Sequence, residues 1–260
     1  MSISLIPIPA FSDNYIWLIT DGKKGVVVDP GDAAPVLDYL KNYHIELIGI
    51  LITHHHWDHT GGNPKLLEQY PDIPVWGPAH EDITTLTNQL NEDDQLDIGF
   101  GFTFKVIDVP GHTSGHIAYY SENVAGSPLL LSGDTLFSSG CGRLFEGTPE
   151  QMYSSLNKLR KLPDETLIYC THEYTASNLV FAAAVEPQND DIAARIKDVA
   201  TLRAAGKPSL PTQIGLEKNV NPFLRWDSNE LQKSAQTYAG KTLSNDTEVF
   251  AAVRAWKDNF

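Results

Sequence analysis

The sequence predicts a layered α/β domain over residues 1–173 followed by a helical domain over 174–260, and three observations lead to that reading. Short runs rich in β-branched and aromatic residues alternate with amphipathic stretches through the first part of the chain. Beyond about Tyr174 the period changes, and apolar residues recur at helical spacing. The chain has 260 residues, 42% of them apolar, enough to fill one large core or a large and a smaller one.

Taken in order, the strand-like runs are Tyr15–Thr20, Gly25–Val28, Leu47–Ile52, Phe102–Val109, His116–Tyr120, Pro128–Ser132 and Thr166–Tyr169. Two intervening helices have legible starts. Asn63 before Pro64 reads as an N-cap with proline at the first helical position. Thr148, Pro149 and Gln151 give the same start with a capping box, and Met152, Leu156 and Leu159 supply the apolar stripe. Further on, Ile192, Ile196, Val199 and Leu202–Arg203 follow helical spacing, as do Val249, Phe250, Val253 and Trp256. The segment between them, about Gly206 to Pro222, is rich in proline and polar residues and reads as a loop.

Composition narrows the function. Thirty-three acidic residues against 19 basic ones give a formal net charge of −14. That balance disfavours binding to a nucleic-acid backbone, which needs clustered Lys and Arg. An anionic substrate would need a local basic patch. The strongest apolar run, Leu47–Ile52, is far below the roughly 20 residues that span a bilayer, so no membrane contact is expected. The first residues carry Pro7 and Pro9 and no basic n-region, which is not the pattern of a signal peptide. The two cysteines, Cys141 and Cys170, read as free thiols of a reducing compartment, with one disulfide as the alternative. The expectation is a cytoplasmic monomer acting on a small molecule.

The strongest signal is Thr53-His54-His55-His56-Trp57-Asp58-His59, directly after the apolar run Leu47–Ile52. Loops at strand C-termini are where α/β proteins commonly place chemistry. His54, His56, Asp58 and His59 pack three imidazoles and a carboxylate together, a donor set suited to zinc, iron or manganese. A lone histidine in a loop is ordinarily a solvated polar residue; four such groups together are not. His55 alternates away from its neighbours and reads as structural, as supporting the ligands, or as having no role.

Three further residues share the context. His112 follows the strand Phe102–Val109 in Pro110-Gly111-His112-Thr113-Ser114-Gly115-His116. Asp134 follows Pro128–Ser132, and His172 follows Thr166–Tyr169. Taken singly, Asp134 could be a turn residue and His112 a satisfied loop histidine. Together they complete a ring of donors on one rim. His116 opens a strand beside it, whereas His44 and His80 have no such context and read as surface residues.

These residues in this order resemble the metallo-β-lactamase superfamily, over residues 1 to about 175. The resemblance implies an αββα sandwich. It implies one metal held by His54, His56 and His112, a second held by Asp58, His59 and His172, and Asp134 shared between them. Asp58 and Asp134 would position a hydroxide bridging the two metals, zinc first and iron or manganese as alternatives. Such a site attacks a carbonyl carbon with no serine or cysteine nucleophile. A thiolate leaves readily, so a thioester is an easier target than an amide.

Within the superfamily, Cys141-Gly142-Arg143-Leu144-Phe145-Glu146-Gly147, Thr171-His172-Glu173-Tyr174-Thr175 and the helical C-terminal domain resemble glyoxalase II. Asn221-Pro222-Phe223-Leu224-Arg225 is similar to a further run of that family, without a role. The resemblance implies hydrolysis of S-D-lactoylglutathione to glutathione and D-lactate, the second step of methylglyoxal detoxification. It implies that Arg143, Phe145, Tyr174, Arg254 and Lys257 bind the glutathione part. Arg254 and Lys257 are three apart on one helix face. By themselves they would read as solvated cations at a helix end. Many eukaryotic members carry lysine and tyrosine where this chain has Arg143 and Phe145: arginine keeps the charge, and phenylalanine drops one hydrogen bond. The competing expectations are a mononuclear iron dioxygenase acting on glutathione persulfide, a phosphodiesterase or lactonase of the same superfamily, and a non-catalytic metal-binding module.

Overall fold

The computed structural model describes residues 3–260. Met1 and Ser2, the start of the stretch read above as carrying no leader, lie outside the described residues. Among the described residues, strands form two six-stranded sheets and one short hairpin. The first sheet runs in chain order through β1 (Ser4–Ala10), β2 (Asn14–Thr20), β3 (Lys24–Val28), β4 (Glu46–Leu51), β5 (Val75–Pro78) and β6 (Asn88–Leu90). Then follow β7 (Gln95–Asp97), β8 (Thr103–Asp108), β9 (Ile117–Val124) and β10 (Ser127–Gly133). The hairpin is β11 (Leu136–Phe137) with β12 (Gly140–Cys141), and β13 (Leu167–Cys170) and β14 (Thr212–Gln213) complete the second sheet. Its order is β14-β13-β10-β9-β8-β7.

Side-chain alternation explains why the sheets stack. Every residue of β2 is buried, and alternate residues serve different layers. Trp17 and Ile19 pack with Val26, Val28 and Leu51 against Phe104, Val106, Tyr119, Leu129 and Leu131 of the second sheet. Ile16 and Leu18 face the other way, onto Ala33, Val36 and Leu40 of α1 (Ala33–Tyr43). Beyond it lie the short α2 (Trp57–Thr60) and then α3 (Asn63–Gln69), whose Leu66 joins that outer layer. On the far side, Ile107, Val109, Leu130 and Ile168 pack on Met152, Leu156 and Leu159 of α4 (Pro149–Arg160). Each such side chain stabilises the fold by about 1.5–3 kcal/mol when fully buried. The result is the expected αββα sandwich.

The C-terminal third supplies α5 (Thr175–Val185), α6 (Asp190–Ala204), α7 (Ile214–Val220), α8 (Asn229–Ala239) and α9 (Asp246–Asp258). Phe181, Phe223, Leu231, Phe250 and Val253 join the same apolar cluster as α4. The segment Gly206–Pro222, expected as a loop, instead contains β14 and α7. Its strand pairs with β13, so the helical third is stitched to the sheet edge. Ile196, expected on the apolar stripe of α6, is exposed. A third correction concerns α3. Gly62, not Asn63, is its N-cap, because the Asn63 side chain donates to Thr85 Oγ1 (2.9 Å) instead of capping. The capping box of α4 is formed: Thr148 Oγ1 accepts from Gln151 N–H and Gln151 Oε1 accepts from Thr148 N–H. Thr148→Ala should cost about 1 kcal/mol, read as a lower urea midpoint at unchanged slope.

Strand direction positions the site. β3 and β4 are parallel; β8 and β10 both run antiparallel to β9, and β13 is parallel to β10. The loops leaving the C-terminal ends of these strands carry Asp29, Thr53–His59, His112, Asp134 and His172.

Candidate metal centre

The seven residues picked out as ligands converge. His54 Nε2 and His112 Nε2 each lie 3.1 Å from His56 Nδ1. Asp58, His59 and His172 form a neighbouring group whose donor atoms lie within 4.8 Å of one another. Asp134 touches both: Oδ2 is 3.5 Å from His112 Nε2 and 3.3 Å from His172 Nε2, while Oδ1 is 3.4 Å from His59 Nε2. His59 Nε2 and Asp134 Oδ1 are buried without a hydrogen-bond partner. Leaving such atoms unpaired is costly, and a cation between them removes the cost.

The electrostatics fit the same conclusion. Burial, together with the neighbouring imidazoles, holds His54 well below the ordinary histidine range, and it lowers His56 and His112. Neutral rings are what a metal requires. Burial works against Asp134, yet His172 and His59 outweigh it and keep this carboxyl well below the usual range. Burial would likewise lower His59 and His172, but Asp134 raises both, helped by Asp29 at His59. A divalent ion bound here would take the place of the protons these rings would otherwise hold. Imidazole and carboxylate donors without thiolate suit zinc, iron or manganese. The residues present therefore fit divalent metal.

Residues that sequence reasoning missed stand behind the ligands. Asp13 Oδ1 is 2.7 Å from His172 Nδ1, and Asn14 Nδ2 donates to Asp58 Oδ2 (3.1 Å). Asp29, at φ 51°, accepts from Thr53 N–H and Thr53 Oγ1–H and lies 3.1 Å from His59 Nδ1. Such partners fix ring orientation and ligand basicity. Asp29 was findable, since it leaves a strand as the other ligands do. His116 is wholly buried, accepts from Asp134 N–H (3.0 Å) and lies beside the centre as expected. His44 and His80 are exposed.

A cleft of about 410 Å³ opens onto the centre, lined by His56, Trp57, Asp58, His112, Asp134, Phe137, Arg143, Phe145, His172 and Tyr174. Tyr174 stacks on His172 at 4.6 Å between centroids, and Phe145 stands edge-on to His112 at 5.3 Å. Arg254 and Lys257 do not line this cleft. Arg254 is buried, donates to Cys141 O (3.2 Å) and Asp258 Oδ1 (2.7 Å), and lies over Phe223. Arg143 Nε reaches the same Asp258 carboxylate at 3.7 Å from the cleft side. The Lys257 ammonium sits over Phe181, 5.1 Å from its centroid. Both cysteines are free and buried, and burial pushes the Cys141 thiol up to about 11, so neither is a poised nucleophile.

Comparison with known proteins agrees with this geometry. Residues 10–172 match the family model of the metallo-beta-lactamase superfamily, and residues 173–260 match that of the hydroxyacylglutathione hydrolase C-terminus. The hydroxyacylglutathione hydrolase of Aeromonas salmonicida is 51% identical over 258 residues, 99% of each chain. Among solved structures, ETHE1 from Myxococcus xanthus superposes with a TM-score of 0.64 at 25% identity, over 99% of this chain and 98% of that one. TTHA1623, solved in a di-iron-bound form, gives 0.59 at 26% identity, over 85% of this chain and all of that one (100%).

Proposed function

The chain belongs to the hydroxyacylglutathione hydrolase family of the metallo-beta-lactamase superfamily, and from that premise we propose that it hydrolyses S-D-lactoylglutathione to glutathione and D-lactate. It is a thioester hydrolase. The observation that carries the reading is the 51% identity to a hydroxyacylglutathione hydrolase over 99% of each chain, joined to a ring of seven donors under an aromatic-walled cleft. Water adds to the thioester carbonyl, the C–S bond breaks, and the thiolate leaves with the proton that water supplies. This consumes the product of a reaction that joins glutathione to a 2-oxoaldehyde.

His54, His56 and His112 would hold one divalent ion and Asp58, His59 and His172 a second, with Asp134 shared; zinc is the first choice, and iron or manganese the alternatives. Bound there, divalent ions supply Lewis acidity at the carbonyl and lower the pKa of water from about 15.7 to about 7. The chain's own part is orientation. Asp58 and Asp134 align the attacking water, and Asp13, Asn14 and Asp29 hold the donors in place. Trp57 and Phe137 line the cleft over the centre, and Phe145 and Tyr174 in the same lining bind the glutathione part. Arg143 receives a carboxylate of glutathione, with Arg254 and Lys257 behind it on α9. The division falls at residue 173: the sandwich carries the chemistry and residues 174–260 close over the peptide. No helix among the described residues is long and apolar enough to cross a membrane. Two buried free thiols suit the reducing conditions of a cytoplasmic protein.

The test of substrate is comparative. Turnover of S-D-lactoylglutathione is measured beside the same acyl group on N-acetylcysteine, which lacks the γ-glutamyl and glycyl parts. A much lower kcat/KM for the truncated thioester is expected; equal values would remove glutathione recognition. Arg143→Ala should raise KM about tenfold, the scale of one charged hydrogen bond, with kcat within about twofold. Its guanidinium contacts a remote part of the substrate, so an unchanged KM would take it off the binding surface.

A further inference from the structure

We propose that Glu81 is a positioning residue for the metal centre: it clamps the loop bearing His54 and His56 to the loop bearing His112, and His55 extends the clamp to the segment Cys141–Gly147. This rests on the metal-dependent reading above.

Glu81 lies between β5 and β6, remote in sequence from both loops, and its side chain is 1% exposed. A carboxylate so placed must be hydrogen-bonded to be tolerated. Its Oε2 accepts from His55 N–H (2.6 Å) and contacts His55 Nδ1. Its Oε1 accepts from Gly115 N–H (3.1 Å) and from Thr113 Oγ1–H. His55 sits between two ligands, and Thr113 follows a third. The two loops also meet at their base, where Ile117 N–H donates to Thr53 O (3.0 Å); Glu81 joins their tips. The approach is close enough to dictate glycine at 115: a Cβ there would lie 2.6 Å from Glu81 Cγ and 2.5 Å from His80 O.

The clamp continues outward. His55 Nε2 is 3.2 Å from Glu146 Oε1, and Glu146 Oε2 accepts from Ser114 N–H (2.8 Å). Glu146 follows Phe145, a wall of the cleft, whose N–H donates to His112 O (3.2 Å). His55, His56 and Glu146 themselves bring donor atoms within 4.8 Å. Both ring nitrogens of His55 already face carboxylates, however, so its work is to link them. The middle histidine of the run thus turns away from the ligand sets because it ties metal loop to substrate segment.

The experiment strips metal from wild type, Glu81→Ala, Glu81→Gln and His55→Ala, and reloads each with zinc alone. Zinc affinity is measured by chelator competition well below each melting temperature, followed by kcat and KM. Glu81→Ala should bind zinc about 10–100-fold more weakly, the usual cost of losing a partner behind the ligands. Glu81→Gln should fall between, because its amide keeps one acceptor but sets N–H against N–H at His55; it carries the test if the alanine variant does not fold. His55→Ala keeps the backbone bond to Glu81, so its zinc affinity should stay near wild type while KM rises. A folded Glu81→Ala with wild-type zinc affinity and only a lower melting temperature would overturn the positioning role. An unchanged KM in His55→Ala would overturn the extension. Failure of the underlying reading looks different: wild type itself would bind no zinc, and the clamp would fall with it.

Discussion

Asp134→Ala is expected to lose metal and turnover together. Among the described residues it is the carboxylate that reaches His112 on one side and His59 and His172 on the other, all at 3.3–3.5 Å. It follows β10 with its backbone N–H donated to His116 Nε2 (3.0 Å), which fixes the carboxylate between the two groups. Without it, two cations would face each other with one negative charge fewer between them. Metal-ion stabilisation is worth several kcal/mol, and each 1.36 kcal/mol is tenfold in rate, so kcat should fall on the order of 10³-fold or more. Metal analysis of the purified variant should find at most one ion per chain. Retention of the wild-type metal content would remove Asp134 from its shared role, whatever happened to the rate.

Gly142→Ala should be nearly as damaging for a steric reason. A Cβ at this position would lie 2.0 Å from Asp134 O and 3.0 Å from His112 Nδ1. The clash is with the backbone of one ligand and the ring of another, so relief requires moving the centre. Gly142 also donates its N–H to Thr135 O (3.2 Å), which pins the chain where the contact occurs. Overpacking of this kind costs about 1–3 kcal/mol of stability. A displacement of about 1 Å at a reacting centre costs about 10²-fold in rate. A folded protein with a modestly lower Tm and kcat/KM down about a hundredfold is the expected result. Wild-type kinetics would show that the Cys141–Gly147 segment does not bear on the centre.

What was legible in the sequence was local. His54, His56, Asp58 and His59 fall in one loop after one strand, and His112, Asp134 and His172 repeat the context, so strand-end position gathered them on one rim, while the ligand sets came from the resemblance. Asp29 has the same context but sits in Asp-Pro-Gly, which reads as a plain turn. Glu81 carries no motif and acts on residues 26 to 34 positions away, a distance at which sequence spacing says nothing. Helix α1 did leave a signal: Asp32 caps Ala34 N–H, and Ala33, Val36 and Leu40 form its buried face. Strand β1 was hidden by Pro7 and Pro9. It is the edge of its sheet, where a missing N–H is tolerated.

The basic patch shows a different limit. Arg254 and Lys257 share a helix face; spacing alone reads them as solvated cations, and only the family resemblance set both toward a ligand. The fold turns Arg254 inward, where Asp258 one turn on accepts its hydrogen bond and the guanidinium covers Phe223. An i,i+4 ion pair was readable from Arg254 and Asp258; which side of α9 would be buried depended on the packing of α4 and the Pro222–Leu224 turn against it.

Hydrolysis of S-D-lactoylglutathione by this centre through bound metal is tested directly by stripping the protein with a chelator, titrating zinc back, and following both bound metal and thioester loss at each addition. Activity absent at the start and rising with occupancy to a plateau near two ions per chain is the predicted result. Turnover that survives complete stripping, or none from a fully loaded protein, would contradict it.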